Sequence, residues 1–105
     1  MRRYNPNPKH EYAWIQGVKD SYLDLTSAEA ETLLNDDSKC VPVPGKPHFI
    51  GVDKGKIYVF RADGVGGYHA YEITGNAVYM NFASVKEEVA AMMGVNVKKL
   101  SRMID

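Results

Sequence analysis

Residues 48–73 constrain the fold most, because apolar and polar side chains alternate there with the period of a β-strand. This stretch holds three segments rich in β-branched and aromatic residues: His48–Val52, Lys56–Arg61 and Tyr68–Ile73. Short turns containing glycine separate them. Together they predict an antiparallel meander, and Ala77–Phe82 extends it as a candidate fourth strand.

Helical patterns flank the strands on both sides. Thr26–Glu29 has the sequence of a capping box and predicts a short helix from about residue 27 to 35. A second capping box, Ser84–Glu87, opens an apolar stripe that ends at Gly94, where a C′ glycine belongs. A shorter stripe follows between residues 97 and 104. The predicted class is therefore α+β, with a short N-terminal helix, a three- to four-stranded antiparallel meander and a C-terminal helix pair.

Proline marks the segments that we do not expect to join the centre of the sheet. Val41–Pro47 contains three prolines, which donate no ladder hydrogen bond, so we expect a stiff connecting loop there. Residues 1–20 are polar and rich in turn formers, and the prolines of Asn5–Pro8 bias the residues before them away from helix. We expect an extended arm that Trp14 and Ile15 pin to the core.

The chain has 105 residues, which predicts a single domain over residues 1–105, with the arm at 1–20 and a helical tail at 84–105. Its 13 Lys and Arg balance 13 Asp and Glu. This balance argues against a uniformly basic nucleic-acid-binding protein, though not against a local basic groove. The one cysteine, Cys40, excludes an internal disulfide framework and predicts a small buried thiol.

Neither a membrane segment nor a leader is predicted. No apolar run approaches the roughly 20 residues of a membrane span, so we expect no membrane partner. The basic segment Met1–Pro6 lacks the apolar stretch of a secretory signal, and we expect a cytoplasmic location.

No familiar metal or phosphate motif occurs. The histidines and the cysteine lack metal-ligand spacing, so no metal and no cofactor is predicted. Gly64–Gly67 lies between two strands and opens no helix, which favours a hairpin turn over a phosphate loop.

His69 is the leading candidate for chemistry, because imidazole titrates near neutral pH and serves as a general acid or base. If Ile73 faces the core, His69 and Tyr71 share its face of the strand. If Tyr68 and Ala70 face the core instead, His69 and Tyr71 lie on the solvent face. A hydrogen-bonded structural histidine is the competing interpretation.

A basic set surrounds His69 in sequence: Lys46, Lys54, Lys56 and Arg61. Lys56 and Arg61 are five residues apart on one strand and so lie on opposite faces, which means that a groove can use only some of the set. The functional interpretation is phosphate contact with tyrosines for base stacking, and the competing one is a solvated face.

The C-terminal segment Glu88–Ser101 resembles a helix-turn-helix, with Gly94 in the turn and Leu100 packing the second helix back. Lys98, Lys99 and Arg102 would then contact phosphates. A helical hairpin that only packs the core explains the same pattern.

Several strings together resemble the C-terminal toxin modules of bacterial polymorphic toxins of the RHS-repeat and filamentous-haemagglutinin or contact-dependent inhibition types. They lie within residues 4–78: Tyr4–His10, Leu23–Thr26, Gly55–Phe60, Gly66–Tyr71 and Thr74–Asn76. Such modules are often small nucleases, many of them metal-independent ribonucleases built on an α+β meander.

The resemblance implies His69 as catalytic base, with Tyr71 beside it, His10 as a second acid or base, and Lys9 as a phosphate contact. In such a mechanism one histidine takes the 2′-hydroxyl proton, the other protonates the leaving oxygen, and a cation steadies the phosphorane. The implied partners are RNA, with tRNA as one candidate, and a cognate immunity protein. The implied location is the cytoplasm of the producer or of a target cell.

The alternative is a non-catalytic module that binds nucleic acid or protein through the C-terminal helix pair. Geometry separates the two hypotheses. A nuclease needs His69 in a concave, solvent-open groove within a few Å of a second acid or base and a cation. A binding module predicts an isolated His69 and an exposed apolar or basic helix face.

Overall fold

The computed structural model describes residues 1–5 and 24–104, and within them a four-stranded antiparallel sheet whose spatial order β1-β2-β3-β4 follows the chain. The elements are α1 (Ser27–Leu34), β1 (Cys40–Pro42), β2 (His48–Asp53), β3 (Lys56–Ala62), β4 (Tyr68–Ile73), α2 (Gly75–Asn81), a 3₁₀ turn (Ala83–Val85), α3 (Lys86–Met93) and α4 (Val97–Ser101). This is an α+β fold with an antiparallel meander, as predicted.

The central strand β3 is buried on both of its faces. Ile57 and Val59 point to one side of the sheet and Tyr58 and Phe60 to the other, and none of the four is more than 2% exposed. An antiparallel sheet commonly leaves one face to water. Here each face carries its own apolar core, so each face needs a covering layer.

Helix α1 covers the face of Tyr58 and Phe60. The predicted capping box is present: the Thr26 hydroxyl accepts from the Glu29 amide at 3.1 Å, and the Glu29 carboxylate accepts from the Thr26 amide at 2.9 Å. Leu33 and other apolar side chains of α1 pack on the sheet. Helix α1 therefore begins and ends close to where the sequence predicts.

Helices α2, α3 and α4 cover the face of Ile57 and Val59. They contribute fully or almost fully buried side chains: Val78, Val89 and Leu100, with Val85 from the 3₁₀ turn. Gly94 ends α3 at φ 72°, the left-handed conformation expected of the predicted C′ glycine. Asn96 then caps α4 by accepting from the Lys99 amide at 2.7 Å.

The candidate fourth strand at Ala77–Phe82 is wrong, because Gly75–Asn81 forms helix α2. The Thr74 hydroxyl accepts from the Ala77 amide at 3.0 Å and so caps the helix. The helix then places Val78 in the core against the sheet. The fourth strand is Cys40–Pro42, which pairs with β2 at the edge of the sheet.

The segment expected as a connecting loop, Val41–Pro47, is also corrected. Its first two residues belong to β1, and Pro42 closes that strand at the sheet edge, where a missing amide donor is tolerated.

The second capping box, Ser84–Glu87, does not form. Helix α3 begins at Lys86 after the 3₁₀ turn, and Val85 stands at its N-cap without a side-chain hydrogen bond.

The first residues of the predicted arm run beside β4. Tyr4 forms a parallel bridge with Tyr68, and the Tyr4 side chain is buried in the core under α1. Trp14, Ile15 and the rest of the arm beyond Asn5 lie outside the described residues. Across residues 1–5 and 24–104, no helix has the length and apolarity that a membrane crossing requires.

Gly75 tests the packing of α2 on α4. A Cβ at this position would meet the Leu100 carbonyl oxygen at 2.6 Å and the Met103 Cβ at 2.8 Å. Backbone cannot yield as a flexible side chain does, so we expect Gly75→Ala to lower the free energy of unfolding by about 1–3 kcal/mol. Urea denaturation measures this. Asn81→Ala, on the exposed end of the same helix, is the control, and equal midpoints for the two variants would contradict the close packing.

Cys40 tests the burial of β1. Its side chain is 5% exposed, and loss of solvation raises the pKa of the thiol to about 12. The thiol is therefore protonated at pH 8, and we expect very slow reaction with a disulfide reagent in the native protein and fast reaction in guanidinium chloride. A fast native reaction would show that β1 is not packed as described.

Candidate active site at the end of the sheet

Three polar side chains form one row across the sheet. His48 of β2 is the cross-strand partner of Arg61 in β3, and Arg61 is the partner of His69 in β4. Directly paired residues point to the same face and stand roughly 5 Å apart, so the backbone of the row spans about 10 Å. The register therefore brings two imidazoles and a guanidinium to one end of the sheet, and we call these three residues the His–Arg–His row.

Both faces of β4 are covered, so neither of the two orientations considered for His69 leaves it on an open face. His69 and Tyr71 share the face of Ile73, and Tyr71 packs against the helices one pleat further in. On the opposite face Ala70 is fully buried under α1. His69 itself is half-buried.

One ring nitrogen of His69 is occupied. Its Nδ1 lies 3.0 Å from the carbonyl oxygen of Asn5. A carbonyl only accepts hydrogen bonds, so Nδ1 carries the proton in this contact. In the neutral imidazole Nε2 is then the basic nitrogen, which is the arrangement that a general base needs.

His48 has the opposite arrangement. Its Nδ1 lies 3.3 Å from the amide nitrogen of Ala62 and accepts from it, so the proton of the neutral ring is on Nε2. Sequence reasoning missed His48 as a site residue. The tight β2–β3 turn was the signal that could have found it, because pairing Asp53 with Lys56 places His48 opposite Arg61.

Arg61 supplies a free cation between the two histidines. Its side chain is exposed and forms no ion pair or hydrogen bond with any residue in 1–5 or 24–104. Lys46 lies on the loop just before His48, with its Nζ 5.6 Å from the centre of the Phe82 ring. These are the two predicted cations that the fold places at the His69 end of the sheet.

Lys56 lies elsewhere. It is at the opposite end of β3 and on the opposite face, where it bonds the Asp24 carboxylate. Asp24 also accepts from the Tyr58 hydroxyl at 2.7 Å, and the bond from Lys56 is the main cause of its lowered pKa. Lys54 lies at this end too, 3.9 Å from Glu29. Lys56 and Lys54 therefore serve the fold rather than a site at His69.

His10 and Lys9, which the resemblance implies as second acid or base and as phosphate contact, lie outside the described residues. Within residues 1–5 and 24–104, no group of three or more His, Cys, Asp or Glu side chains is arranged to hold a metal ion.

The glycine turn between β3 and β4 is built on Asp63. One carboxylate oxygen accepts from the amides of Val65 at 2.8 Å and Gly67 at 3.0 Å, and the other accepts from the Asn5 side chain at 2.6 Å. These bonds, that from Asn5 foremost, lower the pKa of Asp63. The predicted hairpin turn is thus present, and it also contacts the arm.

A second basic site lies on the C-terminal helix pair. Lys98, Lys99 and Arg102, together with Asn96 and Met103, line a cavity of about 480 Å³. None of the three cations pairs with an acidic group in the described part of the chain. Helix α4 has only five residues, so it is shorter than a helix that lies along a DNA groove.

Comparison of the chain with protein-family models, with curated proteins and with solved structures found no match.

The Asp63 turn predicts an acid-sensitive contact. Because the folded-state pKa of Asp63 lies below its unfolded value of about 3.9, its stabilising contribution is present above that value and is lost as the pH falls through the folded pKa. Asp63→Asn removes this titration. We expect the stability difference between wild type and Asp63→Asn in urea to shrink as the pH is lowered from 6 to 3. A difference that stays constant would contradict the role of the charge.

Proposed function

We propose that this protein is a metal-independent ribonuclease that cleaves RNA at the His–Arg–His row. One observation carries the proposal: β-sheet register aligns His48, Arg61 and His69, and the contact of His69 Nδ1 with the backbone carbonyl of Asn5 leaves the lone pair of the neutral ring on Nε2. The resemblance of residues 4–78 to bacterial toxin modules, many of them metal-independent ribonucleases, supports the same assignment.

In the proposed reaction, Nε2 of His69 takes the proton of a ribose 2′-hydroxyl, and the 2′-oxygen attacks the adjacent phosphorus. The bond from phosphorus to the 5′-oxygen breaks, which leaves a 2′,3′-cyclic phosphate and a free 5′-hydroxyl. His10 remains the proposed donor of the proton to the leaving oxygen.

Arg61, the cross-strand partner of the proposed base, is the proposed cation that offsets the negative charge of the phosphorane. His48, with its Nε2 proton directed away from Ala62, is the proposed hydrogen-bond donor to a phosphate oxygen. Lys46 adds charge at the same end of the sheet, where a neighbouring phosphate would lie.

The test is incubation of the purified protein with total tRNA. We expect cleavage that persists in EDTA and yields 2′,3′-cyclic phosphate ends. We expect His69→Ala to lower the rate by about 10²–10⁴-fold through loss of the base, and Arg61→Gln by about 10²–10³-fold through loss of the cation.

Lys39→Gln is the matched control for charge, because Lys39 is exposed and pairs with Asp53 at the other end of β2. It should cleave at the wild-type rate. Intact RNA with folded wild-type protein would sink the proposal, and so would equal losses in Lys39→Gln and Arg61→Gln.

A second candidate function is nucleic-acid binding without cleavage, favoured by the basic cavity on α4. Its signature is RNA or DNA binding that weakens with salt and is lost in a Lys98→Gln, Lys99→Gln, Arg102→Gln triple variant while His69→Ala binds normally. The same set of variants therefore separates the two functions.

A further inference from the structure

We propose that Asn5 is a positioning residue for His69: it joins the arm to the glycine turn and holds the imidazole with Nε2 directed to substrate. The catalytic consequence rests on the proposed ribonuclease function. The positioning itself concerns only the folded protein and can be measured without RNA.

Asn5 contacts both β4 and the turn that precedes it. Its backbone amide donates to the Tyr68 carbonyl at 2.8 Å, and the Tyr68 amide donates to the Arg3 carbonyl at 2.9 Å. The side-chain amide of Asn5 donates to Asp63 at 2.6 Å. The backbone carbonyl of Asn5 accepts from Nδ1 of His69 at 3.0 Å. One arm residue therefore links the start of β4, the turn and the candidate base.

Gly67 shows how closely the side chain of Asn5 is seated. A Cβ on residue 67 would lie 2.0 Å from Nδ2 of Asn5 and 2.9 Å from the Asp63 carboxylate. Gly67 does not adopt the left-handed conformation, so space rather than backbone freedom explains glycine at this position. The Asn5 side chain therefore keeps this position only while residue 67 has no side chain.

The arm is also anchored on its other side, by α1. The Arg2 amide donates to the Asn35 side chain at 2.7 Å, and the Arg2 guanidinium donates to the Leu34 carbonyl at 2.9 Å. The Tyr4 amide donates to the Glu31 carboxylate at 2.9 Å. These bonds hold residues 2–4 against α1. The backbone bond from Asn5 to Tyr68 and the side-chain link from Asn5 to Asp63 then fix where the backbone carbonyl of Asn5 lies.

The position of that carbonyl matters because it selects the tautomer of His69. While the Asn5 carbonyl accepts from Nδ1, the neutral ring keeps its lone pair on Nε2. Displacing the arm removes this acceptor, and the hydrogen bond that favours the Nδ1-protonated tautomer of His69 is then lost. An orienting hydrogen bond of this kind supports catalysis without contacting substrate.

An exchange of donor and acceptor tests the link. Asn5→Asp places a second carboxylate against Asp63, and Asp63→Asn places a second amide against Asn5. Asn5→Asp therefore loses the bond, because neither carboxylate can donate. Asp63→Asn alone keeps a bond, because the Asn5 amide can turn so that its oxygen accepts, and it serves as the parent of the double variant. The double variant Asn5→Asp, Asp63→Asn restores the bond with donor and acceptor exchanged. The new amide nitrogen at position 63 donates to the new carboxylate at position 5, and the amide oxygen at position 63 still accepts from the backbone amides of Val65 and Gly67.

Nitrogen-15 NMR of the imidazole, without RNA, gives the readout. We expect a proton on Nδ1 of His69 in the wild type and in the double variant, and a shift of that proton to Nε2 in Asn5→Asp. We expect kcat for RNA cleavage to fall roughly 10–100-fold in Asn5→Asp, with KM little changed, and to recover in the double variant.

Gly67→Ala supplies an independent variant. Its methyl group displaces the Asn5 side chain, while Asn5 and Asp63 themselves are not substituted. Val65→Ala, in the same turn but 83% exposed, is the matched control and should keep the wild-type tautomer. His69 that keeps its proton on Nδ1 in Asn5→Asp and in Gly67→Ala would overturn the proposal. A wild type that shows the expected tautomers but leaves RNA intact would overturn the ribonuclease function alone.

Discussion

The burial of β3 on both faces is the constraint on which the rest of the structure depends. Its four central side chains point alternately into two separate cores, and none of the four side chains is exposed to water. The chain must therefore place helices on both sides of a small sheet. The Tyr58 hydroxyl lies at the edge of the core and donates a hydrogen bond to the Asp24 carboxylate.

The apolar stretch of β3 ends at Arg61, and this limit creates the candidate site. From Ile57 to Phe60 each residue is buried, whereas Arg61 is exposed between two half-buried histidines. A site at the end of a sheet gains rigidity from the ladder beneath it and access from the solvent beyond it. The arm adds the one contact that the ladder lacks, a carbonyl facing Nδ1 of His69.

Local signals in the sequence predicted much of the fold. The capping box at Thr26, the three strands and the glycine after α3 are all decided within a few residues, by cap chemistry and period. The prediction failed at Ala77–Phe82, because six apolar and polar residues do not distinguish a strand from a helix. There the Thr74 cap and the burial of Val78 decide for helix. It also missed Cys40–Pro42, whose pairing depends on an edge that only the folded sheet provides.

The sequence by itself determined the class of fold, the prominence of His69 and the opposite faces of Lys56 and Arg61, because each follows from spacing along one strand. Only the tertiary structure decided that His48 joins the site, that Lys56 is bound to Asp24 and that Asn5 reaches His69. These contacts join residues between 13 and 64 positions apart along the chain. Docking of the arm and of Asp24 leaves no periodic trace in the sequence, and the register that brings His48 to Arg61 is marked only by the position of the β2–β3 turn.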